Sequence, residues 1–429
     1  MRLRLSSGLL LAILSLACSD SHHSPSTASR PLKYIDIATT YRPKGYAPTA
    51  SCGLAVDSTV YCWGSNRNSK LGRETTNTGC PDADPSSTIR CALQPAKVPN
   101  APKLASLVAG TDYFCGLTSD GTPYCWGVSQ TSDGSGIDLG VTPAPLPGGL
   151  HLTQLSAGIG TLCGVTTAGA GVCWGDFQGG MRGNPAADPD TAQITLTPNT
   201  IAGHIFSAIY AREYTTCGLD TNGSAWCWGG QYLGGLGNSG ASTQGHCGGG
   251  WAPCALTPVA VAGGLTFTTL TAGRYHFCGL SAAHQVFCWG GDANEALNEG
   301  EGGLVSCPEA GEALRRCAPE PIAVSFPIFS SVMAGDATTC VTSTTQQFTS
   351  CWGNNEFGQA GNSGGPASIQ QPVRGGHVFI RLAPGTDHTC GIAADSLAWC
   401  WGEGSAGALG DGRGEDSSEP VAVVGPAEP

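Results

Sequence analysis

One motif, C-x9-C-W-G, occurs seven times along this chain, and nothing else in the sequence limits the fold as severely. It reads SCGLAVDSTVYCWG at 51–64, FCGLTSDGTPYCWG at 114–127 and LCGVTTAGAGVCWG at 162–175. It returns as TCGLDTNGSAWCWG at 216–229, FCGLSAAHQVFCWG at 277–290 and TCGIAADSLAWCWG at 389–402. The sixth copy, TCVTSTTQQFTSCWG at 339–353, carries one extra spacer residue. A length of 429 residues alone suggests two or three domains. A repeat of this period overrides that expectation, because it marks a solenoid or a propeller built from one recurring unit.

Each unit carries four strand signals. An apolar stretch ending in AG, such as LASLVAG (104–110) or FTTLTAG (267–273), precedes the two Cys-bearing strands. A Pro-led β-branched stretch, such as PVAVAG (258–263) or PVAVVG (420–425), closes the unit. The 64 glycines and 28 prolines, against 12% charged residues, favour many short strands over long helices. The expectation is an all-β, disulfide-stapled, seven-bladed β-propeller of four-stranded blades over residues 33–425, with a short tail at 426–429.

The spacing within the motif has a geometric cause. In unit two, the loop Ser119-Asp120-Gly121 puts glycine at the left-handed position of a common hairpin turn. That register sets Cys115 opposite Cys125, close enough to bridge. The same reasoning pairs Cys52 with Cys62, Cys163 with Cys173, Cys217 with Cys227, Cys278 with Cys288, Cys340 with Cys351, and Cys390 with Cys400. Each bridge is worth roughly 3 kcal/mol in the chain-entropy model. Zinc ligands come two to four residues apart, so the spacing does not fit a metal site, and no cofactor is expected. The Trp that follows the second Cys points to the other face of its sheet. Three further pairs, Cys80/Cys91, Cys247/Cys254 and Cys307/Cys317, staple the longest post-CWG loops, in units one, four and five. A bridge across a long loop implies that the loop's shape is used.

These units resemble the repeats of the regulator-of-chromosome-condensation family, in the Cys-rich form found in exported bacterial proteins. The features that carry the resemblance are AG-x-x-H-T-C at Ala383–Cys390, interrupted by Pro384, then D-G before the third strand, C-W-G, and the G-x-x-G-[ND]-G-like turns after it. They cover about residues 33–424 and imply a seven-bladed propeller. They do not imply nucleotide exchange on a small GTPase, since no exchange-loop residues match. A functional parallel is the secreted propeller of this family that inhibits β-lactamases by covering the active site with its loop face. In the family, the His of AG-x-x-H-T packs within its blade, which assigns His388 a structural role.

The first 17 residues read as an export signal, with Arg2 and Arg4 ahead of LLLAILSLA and Cys18. LSLAC resembles a lipobox, so Cys18 is expected to carry the lipid. Residues 18–32 then form the anchor and a flexible tether, the only expected membrane attachment. Ser19 after Cys18 fits sorting to the outer membrane of a bacterial cell envelope. Losing the two leader arginines takes the net charge from −12 to −14, which excludes nucleic acid as a partner. Apart from Cys18, the 21 cysteines leave an even number, as a disulfide framework requires.

GNSGGP at 361–366 echoes a serine-protease nucleophile, and SAAHQ at 281–285 echoes its base. The repeat removes the echo. Ser363 falls in a recurrent post-CWG turn (compare GGLGNSGA at 234–241), whereas His284 holds the hairpin-tip position of Gly121 and Gly223. They belong to opposite ends of a blade, out of reach of each other. The acids at Asp336 and Asp387, and those in DADP (82–85) and GDGRGED (410–416), match no catalytic or calcium spacing. No enzyme is therefore expected. The expected working surface is the face of the post-CWG loops, which also carries the AG-x-x turns. Its candidate binding residues are Arg212, Glu213, Tyr214, Arg274, Tyr275 and His276 on the turns, with Arg90, Trp251, Arg315 and Arg316 on the stapled loops. The expectation is a monomeric binding scaffold for an extracytoplasmic protein or glycan. The alternatives are a polysaccharide hydrolase or lyase, or a secreted enzyme inhibitor.

Overall fold

In every unit the two Cys-bearing strands pair antiparallel with cysteine opposite cysteine. The computed structural model describes residues 31–41, 48–74, 90–130, 136–175, 180–181, 183–184, 195–241, 253–297, 303–307, 316–325, 328–343, 345–362 and 367–426. Seven hairpin disulfides join these pairs, each with a Cα–Cα distance of 4.1 Å. At the hairpin tips Gly121 and Gly223 adopt φ of 84° and 82°, and His284 takes the same left-handed place with φ 63°. Cys307 bonds Cys317. Cys91 and Cys254 are also disulfide-bonded, whereas Cys80 and Cys247 lie outside the described residues.

Among the described residues the strands form six hydrogen-bonded sheets, of four, five, seven, five, four and four strands in chain order. This corrects the expectation of seven separate four-stranded sheets. Units three and four share the strand Thr195–Ala211. Its first part pairs with unit three, as in Gly175↔Thr195, and its last part with unit four, as in Ala211↔Thr216. Other units are separated by Pro-rich or Gly-Gly connectors, such as VPNAP (98–102) and VRGG (373–376). The connector IAGHI (201–205) has one glycine and no proline, so nothing interrupts the strand.

The fourth strands also begin earlier than the Pro-led stretches suggested. They run Cys254–Ala260 and Ser417–Ala422 and end in PVA. In both, the register slips opposite the tryptophan: Cys227 faces Val259 while Gly229 faces Ala255, and Cys400 faces Val421 while Gly402 faces Ser417. Pro258 and Pro420 fall inside the slip, where the ladder requires no N–H.

The core lies between sheets. All seven CWG indoles are at most 1% exposed, and each packs against its neighbouring unit. Six of them donate Nε1–H to a main-chain carbonyl in the post-CWG turn of the preceding unit. Trp126 reaches Lys70 (3.0 Å), Trp228 Met181 (3.0 Å), Trp289 Gly235 (3.2 Å), Trp352 Ala296 (2.9 Å) and Trp401 Gln359 (2.9 Å). Trp63 of unit one donates to Ala408 of unit seven at 3.0 Å, so the circle closes with the same bond. Among the described residues no strand is exchanged at the closure. Tyr34–Thr39 pairs within unit one and Ser417–Ala422 within unit seven.

Candidate functional site

The end of the innermost strand of each unit faces the central channel, and its last carbonyl must be satisfied there. A plug made by two side chains does most of this. Tyr41, which follows the first strand, sets its hydroxyl between the carbonyls of Ala109 and Ala157, in units two and three, and its one proton is shared between them. Arg212 stands where other units have the glycine of AG (Gly110, Gly158, Gly273, Gly335, Gly385). Its guanidinium lies 4.2 Å from the centroid of the Tyr41 ring, a cation–π contact. It donates to the carbonyls of Ala272 and Ala334, in units five and six. Beside the plug, the Thr39 hydroxyl donates to the Ala383 carbonyl of unit seven at 3.0 Å. Arg212, a candidate binding residue in the sequence, is thus part of the plug.

The residue four before the first Cys is charged in three successive units: Glu213, Arg274 and Asp336. These groups meet around the channel. Arg274 donates Nε to Glu213 Oε2 at 2.6 Å and Nη2 to Oε1 at 3.3 Å, while Asp336 Oδ1 lies 3.9 Å away. Burial alone would lower the guanidinium pKa, but the bond to Glu213 outweighs it and holds the group above its ordinary range. Asp336 is pushed up to about 7, first by burial and then by Glu213 and Asp387, against the pull of Arg274. A carboxyl whose native pKa exceeds its unfolded value near 3.8 is protonated in the folded protein over that interval. The folded state therefore binds more protons there, and stability falls as pH rises from about 4 to about 7. Asp336→Asn should flatten that part of the profile in denaturant titrations at stepped pH. An unchanged slope would contradict the assignment.

The residue three before the Cys turns outward at the same place. Tyr214 and Tyr275 flank Tyr232, which comes from the post-CWG turn of unit four, with ring centroids 5.6 and 5.7 Å apart. The Arg274 guanidinium sits 4.9 Å from the Tyr275 ring. Together with Arg212 they line a shallow surface cleft. Tyr214 is the most open of the three at 38% exposed. Burial, then Glu213, raises the Tyr275 hydroxyl to about 12, leaving it a neutral donor and acceptor. The arrangement offers stacked rings, phenol hydroxyls and one neutralised guanidinium, which suits an aromatic or amphipathic group.

Of the candidate residues, Glu213, Tyr214, Arg274 and Tyr275 come together and Arg212 lies beneath them. His276 does not join them. It is 1% exposed, its Nε2 is 2.9 Å from Thr339 Oγ1 in the next unit, and burial, then Arg212, lowers its pKa to about 3. The same register puts His388 against Thr49 Oγ1 (2.9 Å) and Ser51 Oγ (2.7 Å) across the closure. Arg90 and Arg316 are exposed at the bases of loops in units one and five. Trp251, Arg315, Ser363 and Cys18 lie outside the described residues. Sequence reasoning missed Tyr41 and Tyr232. Tyr232 was visible as the aromatic at a turn position held elsewhere by Arg67, Ala293, Glu356 and Ser405.

Among the described residues, no cluster of His, Cys, Asp and Glu could hold a metal ion, and no helix is long and apolar enough to cross a membrane. No protein-family model matches the chain. Mouse and human E3 ubiquitin-protein ligase HERC2 are 24% identical to it over 159 residues, 36% of this chain and 3% of theirs. Yeast RCC1 (Prp20), solved bound to Kap60, superposes with a TM-score of 0.65 at 17% identity, covering 89% of this chain and 94% of that one. This is a propeller with the regulator-of-chromosome-condensation fold. Human WBSCR16 shares it, with a TM-score of 0.66 at 15% identity over 85% of this chain and 93% of that one. A second structure of Prp20p, from Saccharomyces cerevisiae, gives 0.63 at 20% identity over 84% and 91%, and its report describes binding to Gsp1p and histones. The propeller fold, its hairpin disulfides and the resemblance to this repeat family were all legible in the sequence.

Proposed function

We propose that this chain is an exported, lipid-anchored propeller acting as a rigid binding scaffold rather than an enzyme. Its anchor is Cys18, its location the outer membrane of a bacterial envelope, and its partner an extracytoplasmic protein. The partner docks on the face of the post-CWG loops. The observation that carries this reading is the cleft of Tyr214, Tyr232 and Tyr275, backed by an Arg274–Glu213 pair that fixes its floor. Tyrosine supplies large contact area at low conformational cost, and clustered rings around a buried arginine are the composition of binding hot spots. The protein partners of yeast Prp20 (Kap60, Gsp1p and histones) support a protein ligand here.

The test is capture from the envelope and culture fluid of the producing organism, using the soluble domain beside Tyr232→Ala/Tyr275→Ala. The expected result is one protein held by the parent and weakened at least about tenfold by the variant, as befits loss of hot-spot residues. Equal capture by both forms would remove the cleft from the interface. Capture of a polysaccharide instead would replace the protein partner with a glycan.

A further inference from the structure

Unit four contributes Tyr232 to its cleft from the third residue after CWG, and unit one has Arg67 at that position. A second position of the same turn also differs. Where units four, six and seven have Asn238, Asn362 and Asp411, unit one has Arg73. The three short side chains bond inside their own turns. Asn238 Oδ1 accepts Gly240 N–H at 2.9 Å, Asn362 Oδ1 accepts from Asn355 Nδ2 at 3.0 Å, and Asp411 Oδ1 accepts Arg413 N–H at 3.0 Å. Arg73 cannot copy them. Its Nε is buried without a hydrogen-bond partner, the residue as a whole stays partly open, and burial lowers its pKa. A partly desolvated charge of this kind attracts an approaching anion more strongly than a fully hydrated one.

Asn66 gathers the arginines of this unit. Its main-chain N–H donates to the Arg90 carbonyl at 2.7 Å, its Nδ2 donates to the Arg73 carbonyl at 2.9 Å, and Arg67 follows it in the chain. Arg90 is exposed and precedes the disulfide-bonded Cys91. The acid packed against this turn, Asp112, is committed to Lys70 and Asn68. The charge count agrees with the geometry. Residues 33–103 hold nine Lys and Arg against five Asp and Glu, in a chain that has 20 and 32. The neighbour on one side is acidic. The turn of unit seven carries Asp411, Glu415 and Asp416, and Gly412 N–H donates to the Leu93 carbonyl of unit one at 3.0 Å.

We infer that Arg67, Arg73 and Arg90 form a docking patch for a short acidic segment of a partner protein. Guanidinium groups match carboxylates in geometry and charge, and the rest of the propeller has no comparable excess of bases. The acidic turn of unit seven limits what can dock. A long polyanion running past the patch meets Asp411, Glu415 and Asp416, whereas a few carboxylates stay clear of them. The patch lies on unit one, apart from the tyrosine cleft of units four and five, and does not depend on it.

The probe is acetyl-Glu-Asp-Glu-Asp-amide, with acetyl-Gln-Asn-Gln-Asn-amide as control, titrated into the purified protein. The readout is the 15N spectrum of the arginine Nε–H groups, with signals identified by their loss in Arg67→Gln and Arg73→Gln. The acidic peptide should shift both signals saturably and more weakly as salt is raised, and the control should move neither. Arg67→Gln/Arg73→Gln should weaken binding at least about fivefold, read on backbone signals of the turn, as loss of two charge-assisted contacts implies. Arg381→Gln, which removes an exposed arginine outside the patch, should leave it unchanged. If the double variant fails to fold, Arg67→Gln alone decides, with a loss of about twofold or more expected. Unmoved Arg67 and Arg73 signals, an equal response to the control peptide, or an equal loss in Arg381→Gln would overturn the inference. So would tighter binding of polyphosphate than of the peptide. Binding that appears only in Asp82→Asn/Asp84→Asn would also overturn it, since the chain's own acids would then be the occupant.

Discussion

Trp63→Ala is expected to destabilise the protein by about 3–5 kcal/mol, the range for deleting a fully buried tryptophan. The indole is fully buried and sits with Tyr34, Leu409, Ile392 and Val423, so the void would open between the first and last units. The change also leaves the Ala408 carbonyl without its donor. Since no strand among the described residues crosses the closure, this contact has no ladder of backbone hydrogen bonds beside it to share the loss. Denaturant unfolding monitored by the remaining tryptophans should show a lower midpoint. Trp63→Phe should lose less, because most of the packing survives. A Trp63→Ala midpoint within about 1 kcal/mol of the parent would mean that the closure is held elsewhere.

Asp112→Ala should cost a comparable amount through electrostatics. Lys70 is 1% exposed, and its ammonium bonds Asp112 Oδ1 at 2.7 Å and the Pro48 carbonyl at 2.9 Å. Asn68 Nδ2 holds the other carboxylate oxygen at 3.0 Å. Removing the acid leaves a buried ammonium without its counter-charge, which typically costs about 3–5 kcal/mol. Removing both charges, as in Lys70→Met/Asp112→Leu, should recover most of the loss, because a well-packed apolar pair substitutes for a buried ion pair at little cost. If the double variant is no better than the single one, the pair contributes through shape rather than charge.

Most of the architecture was legible because it is written seven times. Hairpin register follows from glycine at the tip, and the face of each indole follows from its place next to a bridged cysteine. The merging of units three and four escaped notice, because it depends on a proline missing from 201–205 and absences are hard to weigh in a single copy. The turn residues divided along physical lines. Those three and four before the Cys form the cleft and its floor, whereas those two before it pack between sheets. His276 shares its register with His388, so aligning the units on the cysteine alone would have moved it from the surface to the wall. Tyr41 had no signal, since its hydroxyl answers carbonyls contributed by units two and three, distant in sequence.

The self-contained ends of the chain also bear on how it could be re-engineered. Each terminal strand completes its own sheet, and Tyr34 packs in one cluster with Val423. A short linker joining 425 to 33 would therefore permit circular permutation, with new ends opened in a Pro-rich connector such as 98–102. The cut that fails should be the one at 203, where a single continuous strand serves two units and opening it would leave both with a frayed edge.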